Sequence, residues 1–460
     1  MKKSLKILLM LNSLMFGTIC FGQEAAQENE NAIISWIQEN AIPINHVEAG
    51  NGFEDLQPLK EILKDVKVVG LGEATHGTRE FFQIKHRLLE FLLKEMGFTG
   101  FAMEASYSAC KPINDYVLFG KGDIYEVLTG QGYVPWDTEE MIEMIEWMRA
   151  YNENVVEERM VKFYGVDLAY QDIGRKEVLA YLEKVAPEMR SQADSIFKIL
   201  ANEEGKWPIK IDSLSQNIML HAFPNFQNLM DDLLANKETF IKNSSPYEFD
   251  QALQNLRVMR QFMLVNTPGL HPPFMDGGIV RSISMAANLI YLMDQAGPEA
   301  KFVIWAHNSH IAKDVWNGDT IMGYELRKKY GDAYYALSLE MNQGSYQTRT
   351  FLPPNLLGDL KSLTIPPAPV VSWPWYLAQA NVANILLDFR GASKTPELET
   401  WVNAPRNIFL AGWVHEAEPK LNYTELEMGR LYDGILYIQT TNPSRPTANA
   451  LKSAAERKGL

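Results

Sequence analysis

Cysteine is nearly missing from this chain: Cys20 and Cys110 are the only two in 460 residues. A fold stapled by disulfides is therefore excluded, and so is a thiolate metal cluster. Basic charge is also short, with 43 Lys and Arg against 57 Asp and Glu, a net charge of −14. No basic stripe offsets that balance, which argues against a nucleic-acid partner. Long apolar runs are scarce. The longest, over residues 7–16, is too short to span a bilayer comfortably. Several signatures of familiar enzymes are absent as well. There is no Gly-x-Ser-x-Gly nucleophile elbow, no P-loop and no His-Glu-x-x-His. Ser195-Ile196-Phe197-Lys198 matches Ser-x-x-Lys, but its companion motifs are missing. Gly70-x-Gly72 starts like a dinucleotide loop, yet Thr75 stands where the third glycine belongs.

What is present begins with a targeting pattern. Lys2, Lys3 and Lys6 precede or open the apolar run, and small residues follow as far as Gly22. This is the order of a signal peptide, with cleavage expected after Gly22. Residues 1–22 are thus assigned to the signal and 23–460 to the mature protein, which is expected in the periplasm or outside the cell without stable membrane insertion. Removing the three lysines takes the net charge from −14 to about −17. Cys110 is then the sole thiol, and it reads as a small core residue.

Residues 67–106 hold the pattern around which the chain is organised. Val68-Val69-Gly70-Leu71 is a buried-type strand, followed at once by Glu73 and His76. Phe81, Phe82, Ile84, Leu88, Leu89, Leu92, Leu93 and Met96 then recur at helical spacing. Phe101-Ala102-Met103 makes a second strand that ends in Glu104. Strand, helix and strand in this order form the βαβ unit of a parallel sheet. Ligands of such sheets bind beyond the carboxyl ends of the strands, where Glu73, His76 and Glu104 stand.

The same theme recurs along the chain. A strand over 161–166 ends in Asp167, and one over 302–306 ends in His307-Asn308-Ser309-His310. Others are predicted over 334–339, ending in Glu340, over 384–387, ending in Asp388, and over 434–438. A helix is predicted over 109–118, and another over 138–151 capped by Asp137 or Thr138. Between Asp172 and Gln295 the apolar residues keep helical spacing almost throughout, a helical insertion over about 172–295. Residues 344–375 are rich in proline and aromatics and lack a period. Loops of that length are either functional or disordered, so Trp373 and Trp375 are candidates for the wall of an apolar pocket or for packing under the loop. The fold class is α/β: a mostly parallel sheet flanked by helices, with a large helical insertion forming a lobe over the active-site cleft.

Histidine pKa values near ~6.5 suit proton transfer at neutral pH. His76, its ring fixed by Glu73 or Glu104, is therefore a candidate base for activating water, with donors for the resulting oxyanion at His307, His310, Lys85 or the backbone around Gly77. A second chemistry is open on the same residues. Glu73-x-x-His76 and His307-x-x-His310 supply three histidines and a carboxylate, a set that zinc accepts.

The paired motifs Gly72-Glu73-Ala74-Thr75-His76-Gly77, with Glu80-Phe81-Phe82, and Trp305-Ala306-His307-Asn308-Ser309-His310, with Glu104 between them, resemble the erythromycin esterase family. The likeness runs from Val68 to the last strand. It implies hydrolysis of an ester by activated water without a covalent intermediate and without a cofactor. It also implies that His76 is the general base and that Glu73, Glu104, His307 and His310 are the other catalytic residues. Lys85 stands where some members carry arginine, and Arg281 fits an arginine near the cleft. Ala287 departs from a glutamate often found there. Lys85, Arg281, Asp167, Trp373 and Trp375 make up the expected substrate-binding set. The expected partner is a small-molecule ester, a macrolide lactone being one case. The competing readings are a metal-dependent hydrolase, an enzyme acting on envelope polysaccharide, and a binding protein that uses the same cleft without turnover.

Overall fold

The computed structural model describes residues 30–200, 211–352, 356–415 and 422–456. The expected signal peptide lies outside them. Among the described residues no helix is long and apolar enough to cross a membrane.

Taken in chain order, the strands are β1 (Ile42–Pro43), β2 (Val68–Leu71), β3 (Gly100–Ser106), β4 (Lys162–Asp167), β5 (Phe302–Trp305), β6 (Tyr334–Leu352), β7 (Leu356–Leu357), β8 (Lys361–Ile365), β9 (Asn384–Asp388), β10 (Arg406–Phe409), β11 (Val414–His415), β12 (Tyr423–Leu426) and β13 (Gly434–Thr441). The main sheet has the order β1-β9-β13-β6-β2-β5-β3-β4. From β13 to β4 every pairing is parallel, while β9 and β1 run antiparallel at one edge. The mostly parallel α/β sheet expected from the sequence is thus borne out.

Both faces of the sheet are covered, as a parallel sheet requires. Alternate side chains separate the two layers. Val69, Leu71, Phe101, Met103, Val303 and Trp305 face the helix Arg79–Met96 through Phe81, Phe82, Leu89 and Leu92. Val68, Ala102, Phe302 and Ile304 face the helices Gly277–Ala296 and Met322–Tyr330 through Met285, Leu289, Met322 and Leu326. The helix Arg79–Met96 stops at Gly97, which takes φ +74°. Thr138 provides the predicted cap of the helix Glu139–Asn152, its hydroxyl accepting from the Met141 N–H at 3.2 Å.

These two layers explain where a site forms. The chain leaves β2 over one face toward β3, and leaves the neighbouring β5 over the other face toward β6. The connections diverge, so a crevice opens between the carboxyl ends of β2 and β5. The helices Asp172–Val185, Pro187–Phe197, Ser213–Ala235 and Pro246–Asn266 form a lobe with its own core of Leu182, Phe197, Phe226, Leu233, Leu256 and Met259. The helix Gly277–Ala296 also falls within the expected insertion, but it packs on the sheet instead, because Met285, Leu289 and Met293 face the strands.

Two strand ends differ from expectation. β6 does not stop before Glu340 but continues to Leu352, hairpins back through β8 and draws in β11. Gly344, at φ +124°, sits inside that strand where its own Cβ would strike the Thr441 backbone. A glycine among polar residues hid the strand in the sequence. Asp388 ends β9, but β9 is antiparallel to β13, so Asp388 lies at the opposite edge and pairs with Arg390.

Candidate active site

His76, Glu73, Glu104, His307, His310 and Arg281 meet in the crevice between β2 and β5. Glu73 is completely buried, and each of its oxygens is in use. Oε1 lies 2.6 Å from His76 Nδ1, while Oε2 accepts from Lys85 Nζ at 2.7 Å and from Trp305 Nε1 at 2.9 Å. Lys85 and Trp305 anchor one oxygen of the carboxylate and so point the other at one imidazole nitrogen. Nδ1 then carries the proton, and His76 Nε2 is the free base. The His76 ring stands edge-on to Trp136 at 4.8 Å between centroids, and to His307 at 5.2 Å.

His307 caps the short helix Asn308–Ile311. Its Nδ1 accepts from the Ser309 N–H at 3.3 Å and lies 2.7 Å from Ser309 Oγ. That assigns the remaining proton to Nε2. Nε2 is buried and makes no well-formed hydrogen bond among the described residues, although the Ala74 backbone is close enough to favour the protonated ring. Burial, reinforced by His76, lowers the His307 pKa well below the ordinary value, so the ring is neutral. A neutral imidazole whose N–H is not held by a well-formed hydrogen bond stands edge-on to the ring of His76.

Gly412 marks the space between them. A Cβ at this position would lie 3.6 Å from His307 Nε2 and 4.0 Å from His76 Nε2. Gly412 takes φ +55°, and its carbonyl accepts from the His76 N–H at 3.0 Å. Gly77 is needed for a different reason: a Cβ there would come within 1.9 Å of the Gln347 carbonyl oxygen.

A second charge system adjoins the first. Glu104 Oε1 accepts from Arg281 Nη2 at 2.8 Å and lies 3.3 Å from His310 Nε2, and Oε2 accepts from the His307 N–H at 3.0 Å. Burial alone would raise the Glu104 pKa, but His310, Arg281 and His76 together hold it well below the usual carboxylate range. Asp167 also grips Arg281, through Nε at 3.1 Å and Nη2 at 2.5 Å, and accepts from the Tyr133 hydroxyl at 2.7 Å. His310 completes the group, with Arg281 Nη1 at 3.3 Å and Ser282 Oγ at 3.5 Å.

Four expected substrate contacts are placed otherwise. Lys85 is fully enclosed, lies 4.1 Å over the Trp305 ring and spends its charge on Glu73. Asp167 is buried and saturated by Arg281, Tyr133 and the Leu168 N–H. Both position other groups. Trp373 is buried in the sheet layer against Trp401 at 4.5 Å and Phe389 at 5.3 Å, and Trp375 packs on Tyr376 beside it. Neither tryptophan is brought to the crevice, because the segment assumed to be a loop is the helix Trp373–Ala378 docked on the core. Arg281 keeps partial exposure at the cleft.

As for metal, no group of three or more His, Cys, Asp or Glu side chains among the described residues is arranged to hold an ion. Glu73 and Glu104 each already face a cation, Lys85 and Arg281. Residues the sequence did not single out are Tyr133, Trp136, Gly412 and the indole of Trp305. Only Trp305 had a signal, through its place in the second motif.

A family model described as erythromycin esterase matches residues 93–441. The chain belongs to the erythromycin esterase family. That match takes in Glu104, Asp167, Arg281, His307 and His310 but begins after Glu73, His76 and Lys85. Erythromycin esterase type II of Escherichia coli is 25% identical over 332 residues, 67% of this chain and 77% of that protein. YbfO of Bacillus subtilis, named as a hydrolase, is 24% identical over 464 residues, 95% of this chain and 97% of its own. Among solved structures, one described as a succinoglycan biosynthesis protein aligns with TM-score 0.76 and 26% identity, covering 91% of this chain and 99% of that one. An erythromycin esterase mutant in its open conformation aligns with TM-score 0.61 and 17% identity over 85% of this chain and 95% of its own, a likeness of fold. The resemblance read from the two motifs is therefore confirmed at the level of the family.

Proposed function

We propose that this member of the hydrolase family cleaves an ester by water that His76 activates. The observation that carries the reading is the opposition of two imidazoles. His76 Nε2 is a free base oriented by Glu73, and His307 Nε2–H, which makes no well-formed hydrogen bond, stands across the same small space. A water held there loses a proton to His76 as its oxygen attacks the ester carbonyl. Glu73 stabilises the imidazolium, and Lys85 with Trp305 keeps Glu73 in place. The carbonyl oxygen gains negative charge and accepts from His307. When the tetrahedral intermediate collapses, His76 returns its proton to the leaving alcohol. Arg281, held by Asp167 and Glu104, offers its exposed face to a polar group of the substrate.

A macrolide lactone is the first substrate to try, because relatives carry the name erythromycin esterase. The structural relative described as a succinoglycan biosynthesis protein favours a second class, an ester borne on a saccharide. The n-, h- and c-region order of residues 1–22 supports an exported enzyme, which N-terminal sequencing of the mature protein would check.

The decisive experiment is mass spectrometry of erythromycin, and of acetylated oligosaccharides, incubated with the protein and with His76→Ala. A product heavier by one water from the lactone, or an acetate released from the saccharide, is expected. The rate should fall by about 10²–10⁴ in the variant. Equal rates in both proteins would overturn the role of His76, and recovery of every ester intact would favour a protein that only binds.

A further inference from the structure

A second cavity lies away from the crevice, on the open flank of the edge strand β4. Its volume is about 370 Å³, within the range of small-molecule sites. Strand Lys162–Asp167 forms its floor, and helices of the lobe and of the sheet layer close it on both sides. Phe163 lines it, four residues before Asp167, so it sits about 13 Å along the strand from the charged cluster.

Four tyrosines surround this space: Tyr107, Tyr164, Tyr247 and Tyr291. Tyr164 is held flat by stacking on Phe302, with centroids 5.8 Å apart and planes at 12°. Tyr291 donates to the Asp250 carbonyl at 3.3 Å. No described residue takes up the hydroxyl of Tyr107, Tyr164 or Tyr247. Burial first, then the neighbouring hydroxyls of Tyr291, Tyr164 and Tyr247, push Tyr107 well above the ordinary phenol value. The same causes raise Tyr164. The array is therefore neutral, with aromatic faces and hydroxyls that both donate and accept.

Lys111, Asp115 and Glu177 are paired among themselves, while Lys162 stands exposed at the rim. Lys111 bridges Asp115 at 3.4 Å and Glu177 at 3.2 Å, and Glu177 also accepts from Asn255 Nδ2 at 2.9 Å. Asn255 is buried, and its Oδ1 has no hydrogen-bond partner among the described residues. A Cβ on Gly174 would stand 3.1 Å from that oxygen.

We infer that this cavity is a binding site for a neutral saccharide, whose C–H faces rest on the tyrosine rings while its hydroxyls engage the tyrosine hydroxyls and Gln251. Neutral polyols match the lining on two counts: aromatic faces, and uncharged donors and acceptors. The site is distinct from the hydrolytic crevice and does not depend on the ester reading.

The test is saturation-transfer NMR and calorimetric titration of the full mature chain. The probes are maltose, cellobiose and lactose, with tetramethylammonium chloride and sodium glucuronate as charged controls. At least one neutral disaccharide is expected to bind with Kd of about 0.1–10 mM. Tyr247 is largely exposed, so Tyr247→Ala should fold, and it should weaken that binding about tenfold or more. Gln251→Ala, which trims another lining residue, should weaken it as well. Three results would overturn the assignment. These are no binding of any neutral disaccharide, binding that both variants leave unchanged, or preference for either charged control. Hydrolysis of a small ester by Tyr247→Ala at the rate of the unaltered protein separates this site from the crevice.

Discussion

His76 Nδ1 lies 2.6 Å from one oxygen of a carboxylate, Glu73, whose other oxygen is taken by Lys85 and Trp305. The base is therefore aimed by a group that is itself immobilised, with no solvent path to a competing orientation. Glu73→Gln keeps the volume but removes the charge, and its amide can donate to Nδ1 and so select the wrong tautomer. The expected result is a fall in kcat of about 10²–10⁴ with KM little altered. Steady-state kinetics on any ester the protein cleaves would measure it. An unchanged kcat would remove His76 from the role of base.

Lys85 carries a pH dependence. Burial lowers its pKa from 10.5 to about 8, against the opposing pull of Glu73 and Glu104. Below that value the ammonium holds Glu73; above it the pair loses its cation. Enzymatic hydrolysis should therefore decline as pH rises through about 8, once spontaneous alkaline hydrolysis is subtracted. Stability moves the other way. Between about 8 and 10.5 the unfolded chain still holds the proton that the folded chain has lost, so this residue favours folding more as pH rises. Lys85→Arg, which stays charged, should shift the alkaline limb of activity upward. A limb that does not move assigns it to another group.

How much of this was legible follows from where each residue lies. Glu73, His76, Glu104, Asp167, His307 and His310 could be grouped because each follows an apolar strand, and parallel strands deliver their carboxyl ends to one edge. The same reasoning failed for Asp388, since nothing local tells an antiparallel edge strand from a parallel one. It failed for Glu340 because β6 runs on through Gly344. Trp373 and Trp375 were misplaced because an aromatic run preceded by prolines has the same composition whether it lines a pocket or caps a core. Gly412 and Tyr133 gave no signal, as their roles come from a φ value and a single hydroxyl contact.

The N–H of His307 predicts a different kinetic signature from the loss of the base. His307→Phe keeps a ring in the space but offers no donor, while the backbone N–H still meets Glu104. A donor that acts on the oxyanion affects the transition state more than the ground state. A loss of about 10²–10³ in kcat is expected, with KM near that of the unaltered protein. A large rise in KM at constant kcat would instead make His307 a substrate-binding residue.

Gly412→Ala tests whether the space between the two imidazoles is where reaction occurs. The new methyl would stand 3.6 Å from one Nε2 and 4.0 Å from the other. With φ at +55°, the substitution also strains the backbone by about 1–2 kcal/mol. Thermal unfolding should register that modest loss, while hydrolysis of even the smallest ester should fall by far more than the stability change explains. Activity that persists on small esters would move the reacting carbonyl away from Gly412.

His86 should govern part of the acid stability without touching the chemistry. It lies inside the helix Arg79–Met96, edge-on to Trp147 at 5.5 Å, with Nε2 buried and unpartnered among the described residues. Burial, with Lys94 adding to it, lowers its pKa from 6.5 to about 4. The ring therefore stays neutral in the folded chain while the unfolded chain takes up a proton. Its contribution is fully present above pH 6.5 and is lost as pH falls toward 4, by about 3 kcal/mol in all. His86→Phe preserves the contact with Trp147 and removes both the titration and the unsatisfied nitrogen. Urea unfolding at about pH 7 and about pH 4.5, either side of most of that window, should then give a smaller difference for the variant than for the unaltered protein, with no loss at neutral pH. An equal difference in both proteins would place the acid sensitivity elsewhere, with the carboxylates that hold Arg281 as the next groups to examine.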